Sequence, residues 1–372
     1  MQKLLSIVVP SYNAEKYLEY NLNSLCLEGI LEELEVIAVD DGSKDSTTEI
    51  IDRYAEKYPG TVVPVHKENG GHGSGINAGI KHATGLYFRV IDADDWANGE
   101  DLKNLITYIK SLLRGLDEAE SLAHEKNDEH TEKNENVATE DISKCSEVNG
   151  LPDIIAGGFY WVYGHDDSAP YKAEFEKPFE GVEYKHIYKF DEVSEKAYIK
   201  MHSLTIRTEI LKKNDIKIDE HCYYVDTEYI LYPIPYVETV VFLDDHLYRY
   251  SISRAGQSMN PQQMMKNKAQ YDHVLEELFR FYEKASAMEC VSDKKRHYIE
   301  HLISRVYASR IKILLWDRIS PDTRKELISM EENLKKKYPE IFRNNVIKVV
   351  DLFRASGYWL YYPAAVVQHL KK

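Results

Sequence analysis

Cysteine is scarce in this sequence. Cys26, Cys145, Cys222 and Cys290 are the only four in 372 residues, and none forms a C-x-x-C pair. That spacing argues against a disulfide framework or a zinc knuckle and reads as reduced thiols. Long apolar runs are missing as well. No stretch approaches the roughly 18 uninterrupted apolar residues of a membrane-crossing helix. The apolar run at the N-terminus stops at Pro10, too short for a signal peptide, and has the shape of a first strand. A cytoplasmic protein is the default expectation. Positive charge is also in short supply: 47 Lys and Arg face 62 Asp and Glu, a formal net charge of −15. Such a surface repels a nucleic-acid backbone, which argues against DNA or RNA as substrate. Two phosphate-binding signatures are absent too. No Gly-Lys-Ser/Thr closes a Walker A loop, and Gly71-His72-Gly73 is followed by Ile76 where a G-x-G-x-x-G fingerprint needs glycine.

What is present is an ordinary apolar complement of 43%, enough to build a real core, in a regular pattern. Leu4 to Val9, Leu34 to Val39, Val62 to Val65 and Leu86 to Ile91 read as strands. Between them, Tyr17 to Cys26, Ile50 to Tyr58 and Ile76 to Ala83 recur at helical spacing, and Ser46 with Glu49 suggests a capping box. Leu102 to Leu113 is a further amphipathic helix. This alternation predicts an α/β fold whose central, mostly parallel sheet is covered by helices on both faces. Residues 117 to 147 hold eleven acids against three lysines, a net of −8, with no apolar period. They read as a flexible acidic insertion spanning 115–150. Strand material returns at Asp153 to Ala156, Phe159 to Tyr163 and His202 to Arg207, with Thr208 starting a short helix. Val237 to Leu243 and Leu247 to Ile252 look like a strand pair, and from Pro261 onward the pattern is helical.

Ligands of open parallel sheets bind beyond the carboxyl ends of the strands, and polar motifs sit at those ends here. After the fourth strand comes Asp92-Ala93-Asp94-Asp95. Adjacent carboxylates stay ionised together when a cation compensates them, and a hard divalent ion, Mn²⁺ or Mg²⁺, suits carboxylate plus diphosphate oxygens. After the second strand stands Asp40-Asp41-Gly42-Ser43, suited to accepting hydrogen bonds from a base or ribose; a capped strand-to-helix loop is the plainer reading. The glycine-rich stretch Glu68 to Gly79 opens a helix and can present amides to phosphate, with His72 inside it.

Together these segments resemble the family 2 glycosyltransferases of the GT-A type. The matching pieces are Val8-Val9-Pro10-Ser11-Tyr12-Asn13, Val39 to Asp45, Glu68-Asn69-Gly70-Gly71 with Asn77-Ala78-Gly79, and Asp92 to Asp95, in the family's order. The resemblance implies a Rossmann-like GT-A domain with a nucleotide-sugar half at 1–114 and an acceptor and base half at 151–258. A helical region at 259–372 follows. It implies that Pro10, Tyr12, Asn13, Gly71 and Asn77 line the donor site, that Asp41 meets the base, usually uracil, that Asp94 faces the ribose or sugar, and that Asp95 holds the metal. It also implies an inverting transfer from a UDP-sugar to a hydroxyl of a glycan, lipid-linked or cell-surface polymer acceptor. The base is expected in Tyr223 to Tyr229, where relatives carry Glu-Asp and this chain has Val225-Asp226. Asp226 is the candidate base and Glu228 the runner-up. Relatives also carry Arg where this chain has Ile76. Further candidates are Asp92, His72, His202, Arg249 and Arg254, the last two with Gly256-Gln257-Ser258 in a loop that resembles one closing on the diphosphate.

Two alternatives differ in class. A nucleotidyltransferase needs a basic, glycine-rich loop after the first strand, and Ser11 to Glu15 is neither. A non-catalytic nucleotide-sugar-binding or scaffold protein of the same fold keeps the donor residues without transfer. Finally, Phe353 to Pro363 is aromatic and the chain ends in Lys371-Lys372. Core packing or a dimer contact explains the aromatics; a peripheral contact with the inner face of a membrane is the other expectation.

Overall fold

The computed structural model describes residues 2–128, 150–173, 179, 181–252 and 260–370. Its first part alternates as the sequence pattern requires: β1 (Leu5–Ser11), α1 (Leu18–Leu25), β2 (Leu34–Asp40), α2 (Thr47–Lys57), β3 (Val62–His66), α3 (His72–His82), β4 (Tyr87–Val90), a short β5 (Trp96–Ala97) and α4 (Gly99–Asp128). β1 and β2 are buried at every position, the mark of strands covered on both faces. The middle part holds β6 (Ile154–Ala156), β7 (Phe159–Val162), β8 (Tyr171–Ala173), β9 (Ile187–Lys189), α5 (Phe190–Val193), β10 (Leu204–Arg207), α6 (Thr208–Lys213), α7 (Asp226–Leu231), β11 (Thr239–Phe242) and β12 (Tyr248–Ser251). The rest is helical: α8 (Pro261–Lys266), α9 (Lys268–Ser286), α10 (Asp293–Trp316), α11 (Pro321–Lys337), α12 (Pro339–Arg343), α13 (Lys348–Ala355) and α14 (Tyr361–Leu370).

The main sheet runs β3-β2-β1-β4-β10-β6-β11-β9. β1, β2, β3 and β4 pair in parallel, as do β6 and β11, whereas β10 is antiparallel to both β4 and β6. Because β10 hydrogen-bonds β4, the residues before and after 115–150 share one sheet. A second sheet, β5-β12-β7-β8, stands at the carboxyl end of β4. One face of the main sheet packs with α1, α2 and α4 through Leu18, Leu22, Ile51 and Ile106. The other face packs with α3, α7 and the C-terminal helices in one continuous core that joins Val8, Ile76 and Tyr229 to Leu275, Ile303, Leu314 and Phe353.

Three local expectations are corrected. Val237 to Leu243 and Leu247 to Ile252 do not pair with each other: β11 belongs to the main sheet and β12 to the second. The link between them carries the chain from one sheet to the other, where Gly158 N donates to Asp245 O. Ser46 precedes α2 but makes no side-chain cap; Asp45 Oδ1 accepts from Thr47 N and Thr47 Oγ1 instead. Helix α4 runs on to Asp128, well into the stretch expected to be an unstructured insertion. Leu, Ala, Glu and Lys are good helix formers, and extending a formed helix costs little. Residues 129–149, with Cys145, lie outside the described residues, as do Arg254, Gly256-Gln257-Ser258 and Lys371-Lys372. Of the C-terminal aromatics, Phe353 and Tyr361 are buried in the core, while Trp359 is 67% exposed.

Candidate active site

The loops at the carboxyl ends of β1, β2 and β4 meet one another, as a parallel sheet requires. After β1, Asn13 takes a positive φ of 49°. Its N donates to Ser43 Oγ at 3.0 Å, and its Oδ1 accepts from Lys44 N at 2.9 Å. Asn13 therefore fastens the first loop to the second. Asp41 is buried, and its two oxygens are fully engaged. They accept from Gly70 N (2.9 Å), Gly71 N (2.7 Å), Ser74 Oγ (3.0 Å) and Lys67 Nζ (2.7 Å). The glycine-rich turn is thus wrapped around a carboxylate. In this structure Asp41 and the Gly71 amide serve that turn, and neither lines the neighbouring cavity.

The glycines of α3 have a packing reason. A Cβ on Gly79 would stand 2.3 Å from Val8 Cγ2, and one on Gly73 would stand 2.1 Å from Asp219 O. The bare face of α3 lets β1 approach on one side and the 218–222 segment on the other. Asn77, expected at the donor, instead holds that segment: its Nδ2 donates to Ile218 O (2.8 Å) and Glu220 Oε1 (3.1 Å), and its Oδ1 accepts from Ile218 N (2.9 Å). This segment leads directly into α7, which begins at Asp226.

The turn after β4 is held from α1, where Asn21 Nδ2 donates to the carbonyls of Asp92 (3.0 Å) and Asp95 (2.8 Å). Carboxylate oxygens of Asp92, Asp94 and Asp95 lie within 4.8 Å of one another. Asp95 is buried and accepts from Tyr248 Oη (2.7 Å) and Ser251 N (2.8 Å). Burial first, then the nearby Asp92 charge, pushes its carboxyl well above the usual carboxylate range. Three converging acids, one of them already hindered in its ionisation by burial and the Asp92 charge, suit a hard divalent cation, so these residues fit Mn²⁺ or Mg²⁺.

His72 links this group to α7. Its Nε2 is 2.7 Å from Asp92 Oδ1, and its Nδ1 is 3.8 Å from Asp226 Oδ1. Burial alone lowers an imidazole, but Asp92, then Asp226 and Asp41, outweigh it and push His72 up to about 9. Asp226 opens onto a cavity of about 650 Å³. The walls still exclude enough solvent to raise its carboxyl above the ordinary range; His72 opposes that rise and Asp92 adds to it. Pro10, Tyr12, Asn13, His72, Asp92, Asp94, His202 and Asp226 all line this one cavity. His202 packs against Phe159, Tyr248 and Tyr250. Burial, helped by Lys200 and Arg89 and opposed by Asp92, pushes it down to about 4, so it is neutral at pH 7.

Two other expected residues stand elsewhere. Glu228 faces away from the cavity and is fully buried, with Oε2 accepting from Asp219 N at 2.8 Å. One residue pair along a helix, i and i+2, cannot share a face. Arg249 lies in β12, stacked 4.6 Å over the Tyr160 ring with Nη1 donating to His246 O at 2.5 Å. It is a strand residue of the second sheet, outside the cavity lining.

Residues 6–145 match the model of glycosyl transferase family 2. That stretch, under half of the chain, is similar to the family. Among curated relatives, the poly(ribitol-phosphate) beta-N-acetylglucosaminyltransferase TarS of Staphylococcus aureus is 38% identical over 105 residues, 28% of this chain and 18% of that protein. The minor teichoic acid biosynthesis protein GgaB of Bacillus subtilis is 34% identical over 113 residues, 30% of this chain and 13% of its own length. This chain thus covers less than a fifth of either relative. The crystal structure of TarS residues 1–349 with UDP-GlcNAc superposes with a TM-score of 0.60 at 17% identity, covering 99% of this chain and 92% of that one. The shared architecture is the GT-A fold with a helical C-terminal region.

The family match ends before much of the cavity wall. Trp161, Tyr198, Lys200, Tyr250, Tyr271 and Arg305 also line it, and sequence reasoning assigned them no role at the site. Tyr271 and Arg305 fall in the helical pattern that follows Pro261, in helices α9 and α10, which carry no motif. Only the packing of α9 and α10 on the main sheet brings them there.

Proposed function

We propose that this protein is an inverting glycosyltransferase that moves a sugar from a UDP-sugar to a hydroxyl of a cell-surface polymer of the teichoic type. One observation carries the reading: a single cavity holds the exposed carboxylate of Asp226 and the acidic group Asp92 and Asp94, with His72 touching both sides. The named activities of TarS and GgaB support the substrate class, and UDP-GlcNAc is the first donor to try. Asp92, Asp94 and Asp95 would hold a divalent cation, which supplies charge stabilisation for a leaving diphosphate.

Pro10, Tyr12 and Asn13 form the wall at the end of β1 and receive the nucleoside. Asp94 faces the ribose or sugar. Asp226 accepts the proton of the acceptor hydroxyl while that oxygen bonds to the anomeric carbon. The bond from that carbon to the diphosphate breaks in the same step, and the leaving nucleoside diphosphate keeps the electron pair. Attack from the opposite face inverts the centre, so no glycosyl–enzyme bond is needed. A raised carboxyl is a better proton acceptor at neutral pH than an ordinary one. His72 keeps the donor-free carboxylates from repelling one another. No helix among the described residues is long and apolar enough to cross a membrane; the proposed setting is the cytoplasmic side, with the acceptor presented there.

The test is a panel of nucleotide sugars, scored for binding and for transfer to polyol-phosphate polymers. Asp95→Ala is expected to lose cation-dependent UDP binding. Asp226→Asn is expected to bind UDP as wild type does and to lose transfer. Wild type that binds no nucleotide sugar from the panel sinks the reading.

A further inference from the structure

Arg305 differs from the paired cations of the helical region in facing the active-site cavity. Its neighbours on the helices are paired with carboxylates: Arg310 with Asp272 and Glu326, and Arg354 with Glu331. Arg305 has no carboxylate within ion-pair distance among the described residues. Its guanidinium instead lies 4.4 Å over the Tyr198 ring, half-buried, on the wall of the active-site cavity. Lys200 approaches that ring at 5.6 Å and also stands 5.7 Å over Trp161. One turn along α10 from Arg305, Ser309 adds a hydroxyl to the wall.

Two positive groups from separate segments therefore converge on one aromatic ring in a cavity that Asp92, Asp94 and Asp226 also line. A half-buried guanidinium without a counter-ion is costly unless an anion arrives. A protein of net charge −15 repels an anionic polymer everywhere except where cations are gathered. In the proposed reading the donor's diphosphate is held through the cation at Asp92, Asp94 and Asp95. We infer that Arg305 and Lys200 form an anion subsite for the acceptor, holding a phosphodiester or carboxylate group of the chain whose hydroxyl is presented to Asp226. This inference rests on the proposed transferase reading, of which it specifies the acceptor. Arg305 supplies the planar fork that a phosphate or carboxylate matches in two hydrogen bonds. Lys200 supplies a point charge on the side nearer His202.

The experiment uses the full chain and three oligomers of equal length: a polyol phosphate, a uronate and a neutral glycan. Binding of each, and of UDP, is measured for wild type, Arg305→Met and Arg305→Lys. Methionine keeps an apolar stem against Tyr198 and removes the charge; melting temperature checks that the fold is intact. The expected result is that wild type prefers an anionic oligomer. Arg305→Met should weaken that binding by about tenfold or more, with UDP affinity changed far less, and Arg305→Lys should recover part of the loss. The two anionic arms decide between phosphodiester and carboxylate. Equal binding of the neutral oligomer, an unchanged affinity in Arg305→Met, or an equal loss of UDP binding each overturns the inference, the last by assigning the cations to the donor. Should Arg305→Met unfold, the salt dependence of wild-type oligomer binding decides: a flat response overturns it. Loss of all nucleotide binding in wild type counts against the transferase reading instead, and is thereby distinguished.

Discussion

Two acids two positions apart show how much a side chain's surroundings decide. Asp226 opens onto the cavity, while Glu228 on the same helix is fully buried, with Oε1 lacking a hydrogen-bond partner among the described residues. Asp226→Asn should lower the transfer rate by about 100- to 10,000-fold, the usual worth of a general base, with little change in UDP affinity; steady-state kinetics beside a UDP titration checks this. Burial pushes Glu228 from 4.5 up to about 8. The folded chain therefore holds a proton there that the unfolded chain releases above about pH 4.5. Its contribution to stability is present at low pH and is lost as pH rises towards 8. Glu228→Gln should match wild type in melting temperature near pH 5 and exceed it by several degrees near pH 8. A wild-type advantage at the higher pH would contradict this reading.

At the scale of elements, α3 does two jobs. Gly79 lets it lie on β1, and Asn77 with Gly73 lets it carry the segment that sets Asp226. Gly79→Ala should cost about 1–3 kcal/mol through overpacking against Val8, read from denaturant unfolding. Asn77→Ala should lower kcat more than it weakens UDP binding, because it loosens the approach to α7 and leaves the end of β1 alone. The β1 to β4 alternation was legible, because strands buried on both faces and helices with one apolar stripe leave distinct periods. The pairing of β11 was not. Short strands near 240 and 250 carry the same residues whether they join one sheet or two, and the contacts that separate them come from β6 and β7, about ninety residues earlier.

At the scale of the molecule, the C-terminal helices are part of the same core as the GT-A sheet. The same apolar cluster contains sheet residues such as Val8 and Phe88 and helix residues such as Ile303 and Leu314. A chain ending at residue 258 would expose that face and should fail to give a cooperative thermal transition, whereas the full chain should melt as one unit. Calorimetry of the two separates the outcomes. Removing these helices also removes Arg305 and Ser309 from the cavity.

The sequence by itself determined the resemblance to the family, the α/β order of the first hundred residues, and the cluster of acids at the end of β4, since each is written in contiguous residues whose spacing has a local physical meaning. Tertiary structure alone decided that Asp226 and not Glu228 meets the cavity, and that Asp41 and Asn77 brace loops. It also decided that Lys200 and Arg305 share a ring across the site. Those facts depend on which distant segments pack together, and burial and charge at a residue are set by neighbours that lie far away along the chain.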